Sequence, residues 1–272
     1  MFGMTEVWGR RIRREMIGDM RPAQPPASAP AIDESDLAAL PEGARRYLRF
    51  MGVVGRPRNQ SFRLESTGRF RMRPGAHWME CEAWQYATRH EVARVMRMKL
   101  RFGPGISMTA RDTYLHGHGR MVGKLMGWLT VADAHGEELD QGELVTWLND
   151  AVLIAPSMLL GPETAWTGAG TDAFDVAFTD RGRTVRARVT VDDRGAPTDF
   201  STTDRFRYDA DRPEAHWNRD RWSTPVEGWR LVAGRPVFTR GRAVWHTPEG
   251  PFVYAEFRPR VESLAFDVPP SD

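Results

Sequence analysis

The sequence predicts a mainly β protein with minor α content: a single curved antiparallel sheet, a half-barrel or incomplete barrel of about ten strands. Three observations lead to this fold. From residue 60 onward apolar and polar residues alternate, as Phe62 and Leu64 do with Arg63, and a period of two is typical of strands. Turn residues recur near positions 74, 90, 104, 118 and 134. The absence of a strand–helix–strand rhythm disfavours a parallel sheet.

The chain opens with a short amphipathic segment. Its apolar residues recur every four positions and therefore share one helical face: Met4, Trp8, Ile12, Met16 and Met20. Because arginines lie towards the other side, residues 1–20 are predicted to form a basic helical arm. Such an arm packs on its own domain or a partner chain, or lies on an anionic membrane surface. Residues 21–31 are rich in proline and alanine, which predicts a linker.

The main domain is predicted over residues 32–268, with a tail at 269–272, and it begins with short helices. Asp33 precedes the first helical stretch, and Tyr47 and Leu48 belong to an apolar set at helical spacing. Strands then follow the alternation over 60–72, 77–88, 92–102, 106–115 and 120–132.

One longer helix, over residues 141–153, interrupts the strands. Asp140 and Glu143 form a D-x-x-E variant of the capping box, which predicts that the helix begins at this pair. An apolar stripe follows, and Pro156 ends or kinks the helix. Strands return over 172–179, 183–191, 197–208, 226–232, 236–246, 252–258 and 261–266. A long meander must close or curve around something, such as this helix or an apolar ligand.

Composition and charge exclude several classes of protein. With 38 basic and 36 acidic residues, the net charge of +2 is too even for a protein built mainly to hold nucleic acid. No stretch reaches the ~18 apolar residues that a membrane-spanning helix requires. The single cysteine, Cys81, excludes an internal disulfide. Without an export signal or a cofactor-binding motif, we expect no cofactor and a cytoplasmic protein, peripheral to the inner face of the membrane where its arm binds there.

The ten tryptophans are many for 272 residues. An indole combines a large apolar surface with one N–H donor, which suits a cavity that binds an amphipathic molecule. Trp78 and Trp84 share one face of a strand, with Met79 and Cys81 on the other, and Trp147 lies on the predicted helix. Core packing explains any one tryptophan better, whereas the set as a whole favours a pocket.

Charged residues on apolar strands supply the polar candidates. Asp112, near Tyr114, and the pair Asp204 and Arg205 can act as acid/base groups or polar anchors in a pocket. They can also form cross-strand ion pairs that lock the barrel, which is the interpretation we favour. Asp150 either caps a backbone turn or points into the cavity mouth, and we favour the cap.

His116 and His118 form an H-x-H pair. Two imidazoles at this spacing can begin a zinc or iron site, but Gly117 and Gly119 predict a turn, and no third ligand has a suitable spacing. We therefore expect an exposed turn and no metal.

Five segments resemble an uncharacterised bacterial family, the domain of unknown function 6544. They are ALPEGARRYLRFMG (39–52), AWQYAT (83–88, with Gln85), ARDTYLHGHGRM (110–121), GELVTWLNDAVLIAPSMLL (142–160) and VWHTPEGPFVYAEF (244–257). None of these segments is a catalytic signature. The resemblance implies membrane segments at the N-terminus, which this sequence lacks, and a glutamate where Asp150 stands. The overall pattern is similar to the half-barrel of bacterial lipoprotein carriers, which is an analogy of fold.

These features favour non-catalytic binding of a hydrophobic or lipid-like molecule in the cavity of the curved sheet. The expected binding residues are Trp78, Trp84, Gln85, Asp112, Tyr114, Trp147, Asp150 and Arg205. One alternative is an enzyme of unknown reaction that uses acidic residues of the same cavity, and another is an interaction module that docks through the arm. The expected partners are a hydrophobic small molecule or lipid and, through residues 1–20, a membrane surface. A cavity filled by the helix at 141–153 would remove the binding hypothesis.

Overall fold

The computed structural model describes residues 29–209 and 216–270. The predicted arm and nearly all of the predicted linker lie outside these ranges, as does half of the predicted tail. Ala31, at the end of the linker, forms an isolated antiparallel bridge with Pro57. No helix in the described ranges is both long and apolar enough to cross a lipid bilayer.

The described strands form mainly one sheet. In chain order they are β1 (Ser61–Phe70), β2 (Met79–Thr88), β3 (Ala93–Gly103), β4 (Ile106–Leu115), β5 (His118–Leu125), β6 (Leu129–His135), β7 (Thr164–Gly168), β8 (Ala173–Asp180), β9 (Arg183–Val191), β10 (Pro197–Thr202), β11 (Arg207–Asp209), β12 (His216–Asn218), β13 (Arg221–Ser223), β14 (Val226–Glu227), β15 (Arg230–Val232), β16 (Arg235–Val237), β17 (Arg240–Thr247) and β18 (Gly250–Phe266).

The strand order explains how two meanders become one surface. The sheet runs β6-β5-β4-β3-β2-β1-β18-β17-β13-β10-β9-β8-β7, with β14 beside β17, and all of its pairs are antiparallel. The long strand β18 joins the first meander, through β1, to the second. The sheet is curved and is not closed into a barrel, so the predicted fold class is confirmed.

Three helices and a 3₁₀ turn accompany the sheet. They are α1 (Glu34–Leu37), α2 (Glu42–Phe50), α3 (Glu137–Ile154) and the 3₁₀ turn Pro156–Leu159. A reciprocal capping box begins α1: the Asp33 carboxylate accepts from the backbone of Ser35 and Asp36, and Asp36 accepts from the backbone N–H of Asp33.

The prediction that a capping box at Asp140 and Glu143 begins the long helix is wrong. Helix α3 begins four residues earlier than the predicted helix, at Glu137 after Gly136. The Asp140 carboxylate instead accepts a hydrogen bond from the backbone N–H of Gly119 at 2.7 Å and one from Arg183 at 3.3 Å. The Asp140 side chain, which the local pattern assigns to the helix terminus, is therefore engaged in a tertiary contact.

Several strand predictions also need correction. The predicted strands 226–232 and 236–246 are each divided in two, the first into β14 and β15 and the second into β16 and β17. Residues 120–132 form two strands, because Met126 and Gly127 adopt positive φ angles of 53° and 81° and make a tight turn. Residues 252–266 form one strand rather than two. The segment 197–208 leaves the sheet after Thr202, so Arg205 lies in a bend and not on a strand.

Helix α3 connects β6 to β7, which lie at opposite edges of the sheet. Its 18 residues span about 27 Å at 1.5 Å per residue. The helix crosses the inner side of the sheet at one end, where it contacts strands of both meanders. Trp147 stacks on Phe178 at 4.5 Å and donates a hydrogen bond to the carbonyl of Thr88. The helix therefore fills one end of the space enclosed by the sheet.

Candidate functional site

The inner side of β2, β3 and β4 is lined by methionines. We call this surface the methionine face; it consists of Met79, Cys81, Ala83, Met96, Met98, Leu100, Met108 and Ala110. The hydrophobic side chains that pack against it in the described ranges are Phe70 and Phe257, both on strands. Helix α3 covers the opposite end of these strands. At the end that carries the methionine face, the inner surface is formed by strand residues.

The rows of the ladder change from apolar to polar towards α3. Cys81, Leu100 and Met108 occupy one row, and Ala83, Met98 and Ala110 occupy the next. The third row places Gln85 and Met96 beside Asp112. The fourth places Ala87 and Arg94 beside Tyr114. The inner side therefore carries an apolar surface that ends at a line of polar side chains.

The polar end is organised around Arg94, which is buried on β3. Its Nε donates to Asp150 Oδ2 at 2.7 Å, and its Nη1 donates to Glu143 Oε2 at 3.2 Å. Its Nη2 contacts the sulfur of Met96 at 2.8 Å. The side chains of Arg94 and Glu143 are each 3% exposed. Burial on this scale is tolerated because each charge has opposite charges and hydrogen bonds around it.

Arg205 approaches the same group from the bend after β10. Its Nη1 donates to the carbonyl of Gly142 and to Thr146 Oγ1, and its Nη2 lies 3.5 Å from Glu143 Oε1. The guanidinium also lies over the Trp222 ring, at 4.8 Å from its centroid. Glu143 is thus held between two arginines that come from different halves of the chain.

Asp112 differs from its neighbours because its buried Oδ1 has no hydrogen-bond partner. Burial raises the pKa of Asp112 to about 7; the charge of Glu143 adds to the rise, and Arg94 and Arg205 oppose it. When Asp112 is protonated, two guanidinium groups face the two carboxylates of Glu143 and Asp150. A neutral carboxyl at this position can both donate and accept a hydrogen bond.

Comparison with known proteins places this chain in a family. The model of a family of unknown function, DUF6544, matches residues 30–257. The chain belongs to DUF6544. The resemblance seen in the sequence is thereby confirmed. Comparison with curated proteins finds no match.

Two solved structures are similar to this DUF6544 chain in fold. One is an outer membrane lipoprotein-sorting protein domain from Vibrio parahaemolyticus, with a TM-score of 0.40 and 7% identity over 76% of this chain and 85% of that one. The other is a LolA superfamily protein from Nitrosomonas europaea, with a TM-score of 0.36 and 10% identity over 80% of this chain and 91% of that one.

The structure brings together three of the predicted site residues: Asp112, Asp150 and Arg205. We call these three, with Arg94 and Glu143, the charge cluster. The expectation that Asp150 caps a backbone turn is wrong, because its carboxylate binds Arg94. Within the described ranges, Asp112 does not form the expected cross-strand ion pair, and its buried Oδ1 has no hydrogen-bond partner. Asp204 does form an ion pair, with Arg219, which is not a member of the charge cluster.

The other predicted residues are distributed over both sides of the sheet. Gln85 lies on the inner side, next to Met96. Tyr114 is fully buried there and donates to Asp180 Oδ2 at 2.7 Å. Trp78 lies on the outer side, with the guanidinium groups of Arg69 and Arg71 at 4.5 and 4.6 Å from its ring centroid. Trp84 packs in a small outer cluster, and Trp147 projects from α3 and stacks on Phe178.

Two residues of the charge cluster escaped prediction. Arg94 shares the strand parity of Met96 and Met98, and an arginine in register with an apolar row is a signal that sequence analysis can use. The local pattern places Glu143 at a helix cap, whereas the helix begins at Glu137 and Glu143 lies within it, where its carboxylate accepts from Arg94.

Two further features of the described ranges bear on function. His116 has a φ of 54° in the turn between β4 and β5, and no three His, Cys, Asp or Glu side chains in these ranges converge as metal ligands do. A groove of about 570 Å³ lies on the outer side of β7–β10, where Asp175 and Arg188 form an exposed ion pair. Its lining includes the charged side chains of Asp175, Arg186, Arg188 and Arg221 beside alanines, unlike that of the methionine face.

Proposed function

We propose that this protein binds an amphipathic, lipid-like molecule on the methionine face, with the apolar part of the molecule against the methionines and its polar head at Asp112. The observation that carries this proposal is that the methionine face directly adjoins the polar residues around Asp112. Met96 lies beside Asp112 in the ladder, and Met98 lies in the adjacent row of the inner side. An apolar surface that ends at a few convergent polar groups is typical of sites for amphipathic ligands.

The chemistry of methionine suits this role. Its side chain is unbranched and polarisable, so it adapts to apolar partners of different shape at low energetic cost. The exposed fractions of Met79, Met98 and Met108 are 6%, 9% and 9%, which means that the face is nearly closed in this structure. Binding therefore requires these side chains to move aside, and three rotatable bonds per side chain make that movement easy.

The charge cluster supplies the fixed polar end. Glu143 and Asp150 are on α3 and Arg94 is on β3, so their mutual contacts hold the helix at a constant distance from the sheet. Asp112 has the oxygen that these contacts leave unsatisfied. A buried polar atom without a partner is costly, and a hydroxyl, amine or phosphate oxygen of a ligand head would remove that cost.

The first test is native mass spectrometry of the gently purified chain, followed by organic extraction. We expect an adduct of lipid mass, and rebinding of dioleoyl phosphatidylglycerol after the adduct is removed. The double variant Met98→Gln/Met108→Gln should bind this probe more weakly by roughly tenfold or more, because it places two amides on the apolar surface. The matched control is Leu231→Gln, which changes a leucine that is 75% exposed and far along the chain.

Two results would contradict the proposal. The first is a wild-type chain that carries no adduct and does not bind the probe. The second is a double variant that keeps wild-type affinity while its melting temperature is also unchanged.

A second candidate function is acid/base catalysis on the bound molecule. The observation that favours it is the carboxyl of Asp112, whose pKa of about 7 suits proton transfer near neutral pH. The isosteric Asp112→Asn variant separates the two functions. If the protein only binds, the variant retains the probe unchanged in mass. If it catalyses, wild-type protein converts the extracted molecule to a new mass over time and the variant does not.

A further inference from the structure

Three hairpin turns of the first meander lie at the same end of the sheet. Strands β1 to β6 alternate in direction, so the turns β1–β2, β3–β4 and β5–β6 all project from the same end of the strands. Neighbouring strands lie about 4.8 Å apart, and the six strands therefore spread the turns over roughly 24 Å. This is the end of the sheet away from α3, where the methionine face begins with Met79 and the row of Cys81, Leu100 and Met108.

Exposed apolar side chains concentrate at these turns. Nine large hydrophobic residues in the described ranges are exposed, and seven of them lie at the three turns or on the adjoining strand ends. We call these seven the hairpin rim: Met72, Phe102, Ile106, Met126, Trp128, Leu129 and Val131. Trp128 is 69% exposed and Met72 is 61% exposed. Single exposed hydrophobic residues need no explanation, but a concentration of them at one end of a sheet indicates an interaction surface.

The charges around the rim identify the kind of partner. Segments 71–82, 99–108 and 124–131 contain five basic residues and two acidic ones. The two acidic residues, Glu80 and Glu82, both contact Arg101. The only lysines of the chain, Lys99 and Lys124, both face Thr109 across the ladder on the outer side, within a few residues of the turns. Long cationic side chains just behind an apolar tip match anionic headgroups above a hydrocarbon layer.

From these observations we propose that the hairpin rim docks on an anionic lipid bilayer, with the apolar tips inserted among the acyl chains and the lysines among the headgroups. The proposal rests on the proposed function, because it makes the bilayer the source or destination of the molecule bound on the methionine face. Trp128 fits this position, since an indole suits the boundary between headgroups and hydrocarbon. Docking would bring the apolar row of Cys81, Leu100 and Met108 next to the bilayer, so that a lipid could pass between them without crossing water.

The test is flotation of the full chain with vesicles of phosphatidylcholine alone and of phosphatidylcholine with phosphatidylglycerol. We expect flotation with the anionic vesicles, weakened by salt. The rim variant Met72→Ser/Phe102→Ser/Trp128→Ser should float more weakly by roughly tenfold or more, because each serine removes apolar area from the inserted surface. The matched control, Tyr208→Ser/Leu231→Ser, changes the two large exposed hydrophobic residues that lie outside the rim in the described ranges, and it should float like the wild type.

A separate variant tests how much the two lysines contribute to binding of anionic vesicles. Lys99→Glu/Lys124→Glu should lose the preference for anionic vesicles while the apolar rim is intact. The docking proposal is overturned if the wild-type chain does not float, or if the rim variant floats as well as the control. The second result would assign membrane contact to another part of the chain, such as residues 1–20.

The docking proposal and the proposed function fail in different assays. A rim variant that no longer floats but still binds phosphatidylglycerol delivered in detergent supports both. A Met98→Gln/Met108→Gln variant that floats without binding the lipid also supports both. Rim and wild-type chains that float equally and bind the lipid equally leave the ligand site standing and overturn the docking.

Discussion

The two halves of the sheet bury their inner sides in different ways. In the second half, Phe174, Val185, Val189 and Phe200 are each 0% exposed, and Phe174 packs against Tyr47 of α2 at 5.1 Å between ring centroids. In the first half, the methionine face retains exposed fractions of up to 9%. Aromatic and β-branched side chains have few rotamers and specify one packing, whereas methionine fills many shapes. The second half is packed in one specific way, and the methionine face of the first half can adapt to different partners.

The largest expected effect comes from a direct test of this contrast. Phe174→Ala should lower the free energy of unfolding by about 3–5 kcal/mol, because it leaves a cavity in a tightly packed region. Met98→Ala should cost about 2 kcal/mol, near the lower end for such truncations, because its flexible neighbours can fill the space. Urea denaturation of both variants measures the difference. Equal losses would show that the two halves are packed alike.

The charge cluster joins residues from the first half of the sheet, from α3 and from the bend after β10, and its removal should also lower the free energy of unfolding. Arg94→Met removes the guanidinium that the carboxylates of Glu143 and Asp150 share, and within the described ranges Glu143 then retains only its contact with Arg205. Breaking a buried ion pair from one side typically costs about 3 kcal/mol or more. The same change at Arg188, which pairs with Asp175 at the surface, is the control and should alter stability little. A stable Arg94→Met variant would show that water reaches the cluster.

The pH dependence of stability should reveal Asp112. Its pKa in the folded protein is about 7, above the value of about 4 for an unfolded aspartate. The folded state therefore binds the proton more tightly, so this group should lower stability as the pH rises from about 4 to 7. The loss should be about 2–4 kcal/mol at neutral pH and should be absent in Asp112→Asn. Urea denaturation at several pH values compares the two chains, and parallel profiles would argue against a buried, unpaired carboxyl.

The smallest expected effect is chemical rather than energetic. Cys81 lies in the methionine face, is 2% exposed, and burial raises its pKa to about 12. Alkylation by iodoacetamide at pH 8 should therefore be slow in the native protein and fast in urea. Because Cys81 is the only cysteine, the labelled mass reports this site alone. Added phosphatidylglycerol should slow the labelling further, and rapid labelling of the native chain would mean that the face is open.

Much of the fold followed from local patterns in the sequence. Alternation and turn residues determined where β1 to β4, β8 and β9 lie, because strand pairing and tight turns depend on residues close together in the chain. The family could also be recognised from short segments. Local patterns failed where a distant contact competed, as at Asp140, whose carboxylate binds the backbone of Gly119 on β5 instead of capping α3.

The candidate site was decided by the tertiary structure. Alternation shows that Trp78 and Trp84 share one side of β2 and that Met79 and Cys81 share the other, but both sides are apolar, so it cannot show which side faces inward. The charge cluster joins Arg94 to Glu143, 49 positions away, and Glu143 to Arg205, 62 positions away. Contacts over such distances depend on where the sheet curves and where α3 crosses it, and no local pattern contains that information. The sequence thus determined the strands and the family, and the packing of α3 against the curved sheet determined the site.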